Sequence, residues 1–473
     1  MRTTTPPGQD AGKGGFLCKK LYICMFNRMW MGNIRHILTL VTAAGALLGS
    51  GLLTGCGYRA ALHASYIPDV TDSTLYPGVK PEYQQLAALM EKDTGIPPST
   101  GNTIGFIPDG DHKLQLMLQD LKAASKAIYM DYYRICADSA GTIVLDILRD
   151  KAAQGLDVRV MVDKAAETPK NFRALKSLPE AGVLFNSFYK PVWFIDGLVP
   201  PAGTHRDHRK ILMTDGATAY LGGRNIQDKY FTSWRDADVR ITGPAIEHIA
   251  TVYMENQLRL NPQAAPLHIA SDLNQEADKD NVPGLVQHRG KTVQVVHDSP
   301  IDKKLPMRNL FEWSIGHAKR YFWVYSPYTP PPKSTLNALK EAARRGVDVR
   351  WIVQGVSDVF FEEYVAEFLF RDLLEAGVRI FKWNSGIMHA KQFMSDDYLM
   401  AIGSVNMDNL SFFLNYENEA IIYDEDITRE AAQRFQEDLT THCSEVTLEE
   451  VKRWNIFRKF RNWFFYTFGG PVG

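Results

Sequence analysis

Cysteine, net charge and long apolar runs are all scarce in this sequence of 473 residues. Five cysteines, an odd number, cannot form a disulfide scaffold in so long a chain. A net charge of −1 argues against a surface that is basic throughout and binds a polyanion, although it is compatible with a local basic groove. With 45% apolar and 23% charged residues, the composition is globular and excludes a disordered or multi-span membrane protein.

The N-terminal region has the layout of an export signal. Arg28 and Arg35 precede an uncharged apolar run, residues 37–53, whose 17 residues are at the lower limit for crossing a bilayer. The sequence Leu-Thr-Gly-Cys at 53–56 resembles a bacterial lipobox. The resemblance implies cleavage before Cys56, lipidation of its thiol, and attachment to the extracytoplasmic side of a bacterial membrane, in the periplasm if there are two membranes. The alternative is an uncleaved anchor in which Cys56 is incidental.

In the rest of the chain, a pattern of alternating helix-like and strand-like segments occurs twice. Helical periodicity at 114–125 and 142–154 alternates with strand-like runs at 127–133 and 155–162. The second half repeats this pattern, with strand-like runs at 321–328 and 346–353 on either side of a predicted helix at 334–345. Each half also has an Ala-Gly-Val element, whose glycine (Gly182 or Gly377) is predicted to cap the end of a helix. The pattern predicts a mostly parallel or mixed sheet flanked by helices.

A set of matched polar positions shows that the chain is an internal duplication. Each member of the second set lies 181 residues after its counterpart in the first. The first set is His208, Lys210, Asp215, Asn225, Asp236 and Asp238, and the second is His389, Lys391, Asp396, Asn406, Glu417 and Glu419. Chance does not produce six such matches, so we expect two homologous halves related by a pseudo-twofold axis with one shared site.

The residue types in these sets suit a tetrahedral anion such as phosphate. The His-x-Lys spacing predicts that both side chains lie on one face of a strand, and the glycines of the following Gly-x-x-Asn turns predict a close approach of backbone to ligand. Two lysines and two asparagines offer positive charge and hydrogen-bond donors.

Two histidines at one phosphate can divide the chemistry between them. One imidazole attacks phosphorus, and the other protonates the leaving alcohol and then activates the incoming nucleophile. Histidine suits both tasks because its pKa of about 6.5 allows both protonation states near neutrality. Each ring needs an orienting partner on its other nitrogen, and the four acids that follow the asparagines are the candidates for that role: Asp236, Glu417, Asp238 and Glu419. A metal site is the competing interpretation of clustered His and Asp, but a lysine two residues after each histidine would repel a cation.

These residues resemble the signature of the phospholipase D superfamily, HxKxxxxD followed by GGxN or GSxN, present twice. Within that superfamily the chain is most similar to bacterial cardiolipin synthases over about residues 105–468. The resemblance implies that His208 is the nucleophile and His389 the general acid/base, that Asp215 and Asp396 act as structural supports more than as catalysts, and that no metal or other cofactor is needed. Two departures are a single short N-terminal apolar segment in place of two spanning helices, and the absence of an arginine before Ser411.

The function implied by the resemblance is phosphatidyl transfer. Phosphatidylglycerol would donate, a second lipid alcohol would accept, and cardiolipin and glycerol would result. Hydrolysis of phospholipid to phosphatidic acid, a superfamily nuclease and an inactive binding module are the alternatives. The neutral charge, the export signal and an aromatic tail count against nucleic acid as a partner. One duplicated chain can assemble the whole site, so no oligomer is required.

Two further segments suggest contact with lipid. Residues 454–468 mix three basic residues with eight aromatics, a composition that favours the membrane interface, although a helix packed on the protein's own surface is the alternative. The first half also has 14 extra residues before its motif, including an apolar stretch at 191–195 that suits an acyl chain. We therefore predict a signal at 1–56, a linker and lead-in at 57–104, phospholipase D-like domains at 105–275 and 276–442, and an amphipathic tail at 443–473.

Overall fold

The computed structural model describes residues 75–188, 205–300 and 304–468. The predicted signal with Cys56, the start of the lead-in and the apolar stretch at 191–195 lie outside the described residues. Within them, no helix is both long enough and apolar enough to cross a membrane.

Helices and strands alternate along both halves, as predicted. In the described part of the chain the α-helices are α1 (Gln84–Thr94), α2 (Gly110–Ala123), α3 (Ser139–Ala153), α4 (Pro169–Lys176), α5 (Asp228–Thr232), α6 (Ala245–Leu260), α7 (Leu273–Lys279), α8 (Pro306–His317), α9 (Lys333–Arg344), α10 (Glu362–Glu375), α11 (Asn409–Phe413), α12 (Glu425–His442), α13 (Leu448–Arg453) and α14 (Ile456–Phe468). The strands are β1 (Ser99–Ile107), β2 (Ala127–Tyr132), β3 (Asp157–Asp163), β4 (Leu184–Phe188), β5 (Lys210–Thr214), β6 (Thr218–Gly222), β7 (Asp238–Thr242), β8 (Gln287–His297), β9 (Tyr321–Tyr325), β10 (Asp348–Gln354), β11 (Arg379–Trp383), β12 (Gln392–Ser395), β13 (Leu399–Gly403), β14 (Asn418–Tyr423) and β15 (Cys443–Val446).

The strands of both halves form one mixed sheet whose order is nearly palindromic. It runs β15-β11-β10-β9-β12-β13-β14-β8-β1-β7-β6-β5-β2-β3-β4. The sequence from β11 to β8 is repeated in reverse from β1 to β4, and β1 and β8 pair antiparallel at the centre. Antiparallel pairing of equivalent strands is what a twofold axis at the centre requires. The structure therefore confirms two homologous halves, and it joins them through a continuous sheet.

Within each half, three parallel strands are followed by an antiparallel unit. Strands β2, β3 and β4 pair in parallel, as do β9, β10 and β11. The next strand of each half, β5 or β12, pairs antiparallel with β2 or β9. The sheet is mixed because helices connect the three parallel strands, whereas a three-residue turn joins β5 to β6 and β12 to β13, and a longer segment with a short helix (α5 or α11) joins β6 to β7 and β13 to β14.

The predicted strands at 127–133 and 321–328 end earlier than expected. They end at Tyr132 and Tyr325. In the second case Pro327 follows almost at once and has no N–H to donate to a neighbouring strand. The predicted glycine caps are confirmed, since Gly182 and Gly377 both have positive φ angles, of 90° and 97°, and Gly182 follows a 3₁₀ turn, Leu178–Ala181.

Helices cover both faces of the sheet. On one face α6 and α12 bury Tyr253 and Phe435 in the core that joins the halves. On the other face α2 and α3 cover the first half, and α8 to α10 cover the second. Helix α1, from the predicted lead-in, also packs on this face. Tyr83, just before α1, contacts Trp313 of α8 with 6.0 Å between the ring centroids. These layers leave the loops at the strand ends free to form a site where the halves meet.

Candidate active site

The two His-x-Lys segments lie where the two halves exchange backbone hydrogen bonds. The N–H of His208 donates to the carbonyl of Tyr416 at 2.9 Å, and the N–H of His389 donates to the carbonyl of Arg235 at 2.6 Å. Both histidines precede their strands, since β5 begins at Lys210 and β12 begins just after Lys391. The prediction that each histidine lies on a strand is therefore wrong, because these backbones pair with the opposite half instead of a sheet neighbour.

Each histidine receives its carboxylate from the other half. Nδ1 of His208 lies 3.0 Å from both carboxylate oxygens of Glu417, and Nδ1 of His389 lies 2.7 Å from Oδ2 of Asp236. All four side chains are buried. These bonds orient both rings and leave Nε2 of each for a substrate. The prediction of orienting partners at these two acids agrees with this geometry, but the sequence did not indicate the exchange.

The other two candidate acids have different partners. Asp238 forms a buried ion pair with Arg224, and Glu419 lies directly beneath Gly403. Neither bonds to a histidine in the described structure, so the prediction that they orient the rings is wrong. Burial raises the pKa of both acids, for Asp238 against the opposing charges of Lys113 and Arg224.

The glycines of the Gly-x-x-Asn turns make room for these carboxylates. A Cβ on Gly222 would lie 2.3 Å from Oδ1 of Asp238, and a Cβ on Gly403 would lie 2.5 Å from Oε2 of Glu419 and 2.2 Å from the carbonyl of Asn418. These glycines therefore admit the acids behind the site, and their close approach to a ligand stays a prediction.

The two lysines are buried beside the histidines. Nζ of Lys210 donates to the carbonyl of His208. Nζ of Lys391 donates to the carbonyl of His389 at 2.6 Å and lies 3.0 and 3.1 Å from the two ring nitrogens. Burial lowers the pKa of Lys210 to about 7 and that of Lys391 to about 8. An anion placed between them would restore the charged forms, as a phosphate-binding pair requires.

The two asparagines are buried with unused hydrogen-bonding capacity. Nδ2 of Asn225 donates to the hydroxyl of Tyr230 at 2.9 Å, and the backbone N–H of Asn406 donates to the hydroxyl of Ser411 at 3.1 Å. Among the described residues, the Oδ1 atoms of both asparagines have no partner. Buried acceptors without partners are expected where a hydroxyl of a ligand or a water molecule completes the site.

Electrostatics link the members of the site. Burial, followed by the charges of Lys391, Lys210 and His208, lowers the pKa of His389 well below its usual value. Burial also lowers the pKa of His208, but the charge of Glu417 opposes this shift. These charges and the carboxylates exchanged between the halves agree with the prediction that the duplicated sets meet in one site.

The two motif aspartates lie outside the site. Asp215 and Asp396 follow β5 and β12, at the ends away from the lysines, and both have φ angles of 54°. The Asp215 carboxylate accepts backbone N–H groups of residues 125, 126 and 127, and Asp396 accepts those of residues 319, 320 and 321. They hold the start of a neighbouring strand in each half, which agrees with the structural role that the resemblance implies.

Sequence reasoning missed the residues that surround the histidines. The hydroxyls of Ser404 and Ser411 and the amide of Asn415 all donate to Glu417. Aromatic rings wall the site: Tyr133 lies 5.0 Å from the His208 ring, and Tyr230, Trp234 and Tyr328 lie 5.1 to 5.8 Å from the His389 ring. Ser404 was visible as the second residue of the Gly-Ser-x-Asn turn, but the aromatics had no counterpart in the repeat.

The residues of this site do not form a metal-ligand cluster in the described part of the chain. The one cluster of suitable ligands there is His288, Asp424 and Asp426. Nζ of Lys291 already lies 2.7 and 3.0 Å from its two carboxylates, so a lysine ammonium supplies the positive charge.

Comparison with known proteins places the chain in a family. The family described as "Cardiolipin synthase, PLD-like domain" matches residues 117–258 and 313–439. The chain belongs to the phospholipase D superfamily. Within it, the chain is a phosphatidyltransferase of the cardiolipin synthase family, which confirms the resemblance carried by the two His-x-Lys motifs.

Curated relatives are similar over most of the chain. Cardiolipin synthase 1 of Bacillus anthracis is 30% identical over 389 residues, which are 79% of this chain and 72% of the relative. Cardiolipin synthase 2 of the same organism is 32% identical over 361 residues, 75% of this chain and 67% of the relative. The crystal structure of phosphatidylserine synthase from Haemophilus influenzae Rd KW20 covers 78% of this chain and 93% of its own, with a TM-score of 0.58 and 17% identity, and is similar in fold.

Proposed function

We propose that the chain makes a cardiolipin-type lipid from phosphatidylglycerol by way of a phospho-histidine intermediate. The observation that carries the proposal is the pair of buried imidazoles, each held at Nδ1 by a carboxylate of the opposite half. That arrangement fixes the tautomer and leaves two Nε2 atoms for one phosphodiester. The names of the relatives support the product class.

The first step transfers the phosphatidyl group to the enzyme. Nε2 of His208 attacks phosphorus, the bond from phosphorus to the glycerol oxygen breaks, and His389 in its protonated form gives its proton to that oxygen. The lysine ammonium groups and the Nδ2 groups of the two asparagines donate to the non-bridging oxygens, whose charge grows as the bonds rearrange. Glycerol leaves, and the phosphatidyl group remains on His208.

The second step transfers the group to an acceptor. His389, now neutral, takes the proton of the acceptor hydroxyl, the hydroxyl oxygen attacks phosphorus, and the phosphorus–nitrogen bond to His208 breaks. With a second phosphatidylglycerol as acceptor the product is cardiolipin. With water the same intermediate gives phosphatidic acid.

The product formed from phosphatidylglycerol tests this proposal. Purified protein is incubated with phosphatidylglycerol, and the lipids are identified by mass spectrometry. Cardiolipin and glycerol are the expected products. Phosphatidic acid as the main product would replace transfer by hydrolysis, and an absence of both would point to another phosphodiester, nucleic acid included.

The proposal includes attachment to a membrane through the N-terminal region. The lipobox-like sequence at 53–56 supports cleavage before Cys56 and a lipid on its thiol, which would hold the enzyme beside its substrate on the extracytoplasmic side. Mass spectrometry of the mature protein is expected to find lipidated Cys56 at the N terminus. An unmodified Cys56 inside a longer peptide would contradict this attachment.

A further inference from the structure

The C-terminal helix α14 turns its most hydrophobic face to solvent. We define its outer face as six side chains that are 37–82% exposed: Ile456, Phe457, Phe460, Trp463, Phe464 and Phe468. Phe457 at 82% and Ile456 at 72% are among the most exposed large apolar residues of the described chain. A helix that is stable in water normally does the reverse and buries this face.

The opposite face of α14 is fixed by a buried carboxylate. Glu367 of α10 is 2% exposed and accepts hydrogen bonds from Arg458, Arg461 and Asn462 of α14 and from Lys382 of β11. The Asn462 contact is 2.9 Å, and Asn462 itself is 2% exposed. Burial alone would raise the pKa of Glu367, but these donors outweigh it and hold the pKa below its usual value.

This anchor decides which way the helix faces. Because its polar residues are committed to Glu367, α14 cannot rotate to bury the outer face without leaving a buried carboxylate without partners. Phe465 and Tyr466 pack inward beside them, with the Tyr466 ring 4.3 Å from that of Phe368. The exposure of the outer face is therefore built into the fold and is not the fraying of a chain end.

The exposed apolar surface extends from α14 to a loop that contacts an aromatic ring of the active site. The loop at 355–361 follows β10 and contains Phe360, whose side chain is 75% exposed. The centroid of the Phe360 ring lies 5.8 Å from that of Phe465 in α14. Asp358 in the same loop accepts a hydrogen bond from the hydroxyl of Tyr328 at 2.9 Å. The Tyr328 ring in turn lies 5.8 Å from the ring of His389.

We propose that the outer face of α14 and the loop at 355–361 together dock on a phospholipid bilayer and bring the Tyr328 side of the active site close to it. Aromatic side chains favour the interfacial layer, and the exposed Lys452 and Lys459 complement anionic headgroups. This inference deepens the proposed function and rests on it in one respect, namely that the substrate is a bilayer phospholipid. The side chains of the outer face can then enter the lipid while the buried contact with Glu367 keeps the helix in place.

Quenching of Trp463 tests the docking directly. The full chain is bound to phosphatidylglycerol vesicles with brominated or plain acyl chains, and the signal of Trp463 among the nine tryptophans is taken as the difference from Trp463→Phe. Bromine is expected to quench that signal. No quenching of Trp463 on vesicles that carry the protein would overturn the inference. So would shielding of Trp463 from acrylamide without vesicles, which would show that another copy or another part of the chain covers the face.

Kinetics separate docking from chemistry. The double variant Phe457→Ser with Phe460→Ser is expected to lose about tenfold or more of its rate on bilayer vesicles and to keep its rate on monomeric short-chain phosphatidylglycerol. The matched control is Ile143→Ser with Val286→Ser, which removes two exposed apolar residues elsewhere (44% and 62% exposed) and is expected to change neither rate.

Equal loss on both substrates, or no loss on either, would contradict docking by this face. If the unaltered enzyme forms no product from either substrate, the proposed function fails, yet the quenching of Trp463 still decides the docking.

Discussion

The two halves of the site contain the same residue types, yet they hold their carboxylates differently. Glu417 has two hydroxyl donors and one amide donor besides His208, whereas Asp236 bonds to His389 and to the backbone N–H of Ala237. Burial would raise the pKa of either acid. The charge of His208 and the hydrogen bonds that Glu417 accepts hold the pKa of Glu417 below its usual value. The pKa of Asp236 is raised, because burial outweighs the opposing charges of Lys391 and Arg224.

The duplicated site is therefore not symmetric in charge. Glu417 stabilises a proton on His208, while His389 is surrounded by the charges of Lys391 and Lys210. A phosphodiester anion bound between the rings raises both pKa values, so that His389 can carry the proton that the leaving oxygen needs. Peptide mapping of a trapped phosphoryl-histidine is expected to find it at His208, and an adduct at His389 would reverse the order.

Removal of either imidazole is expected to have the largest effect. His208→Ala and His389→Ala should each lower kcat by at least about 10³-fold, because one removes the nucleophile and the other the acid. Steady-state rates with phosphatidylglycerol measure this, and His112→Ala on α2 is a matched control that should stay active. Substantial turnover in either site variant would break the two-histidine mechanism.

The orienting carboxylates are expected to come next and to differ. Glu417→Gln and Asp236→Asn should each lower kcat by about 10²- to 10⁴-fold, because a neutral amide favours the wrong ring tautomer. The loss should be greater for Glu417→Gln, since Glu417 is the acid that the site keeps ionised. Equal losses, or a greater loss at Asp236, would contradict the difference between the halves.

The pH dependence of kcat/KM is expected to show how the two carboxylates affect the pKa values of the histidines. The nucleophile must be neutral, and burial lowers the pKa of both histidines, so the acid limb should lie below pH 6.5. In Glu417→Gln the limb from His208 should move to still lower pH, because the charge that raises its pKa is gone. A limb that moves upward in this variant would contradict the assignment of Glu417 to His208.

The motif aspartates are expected to have the smallest effect on catalysis and the same effect in both halves. Asp215→Ala and Asp396→Ala should each lower the free energy of unfolding by about 1–3 kcal/mol, because each removes an acceptor for three backbone N–H groups at a positive φ. Asn at either position should cost less, since it tolerates this φ. Denaturant melts measure the change, and a loss of kcat without a loss of stability would give these residues a direct catalytic role.

Sequence predicted the parts of the site better than their arrangement. The 181-residue offset identified two His, two Lys, two Asn and six acids, and two of those acids, Asp236 and Glu417, bond to the histidines. The exchange of carboxylates between halves was not predictable, because spacing along a chain does not say which copy of an acid faces which histidine. The polar anchor of α14 was hidden for a similar reason, since Glu367 lies about 90 residues before the arginines that it binds.

A double-mutant cycle between the halves tests the exchange of carboxylates most directly. The rates of His208→Ala, Glu417→Gln, Asp236→Asn and their pairwise combinations are measured with phosphatidylglycerol. Once His208 is alanine, Glu417→Gln is expected to cost little more, whereas Asp236→Asn should still lower the residual rate. The opposite pattern, with Asp236 coupled to His208 and Glu417 independent of it, would contradict a site built by exchange between the two halves.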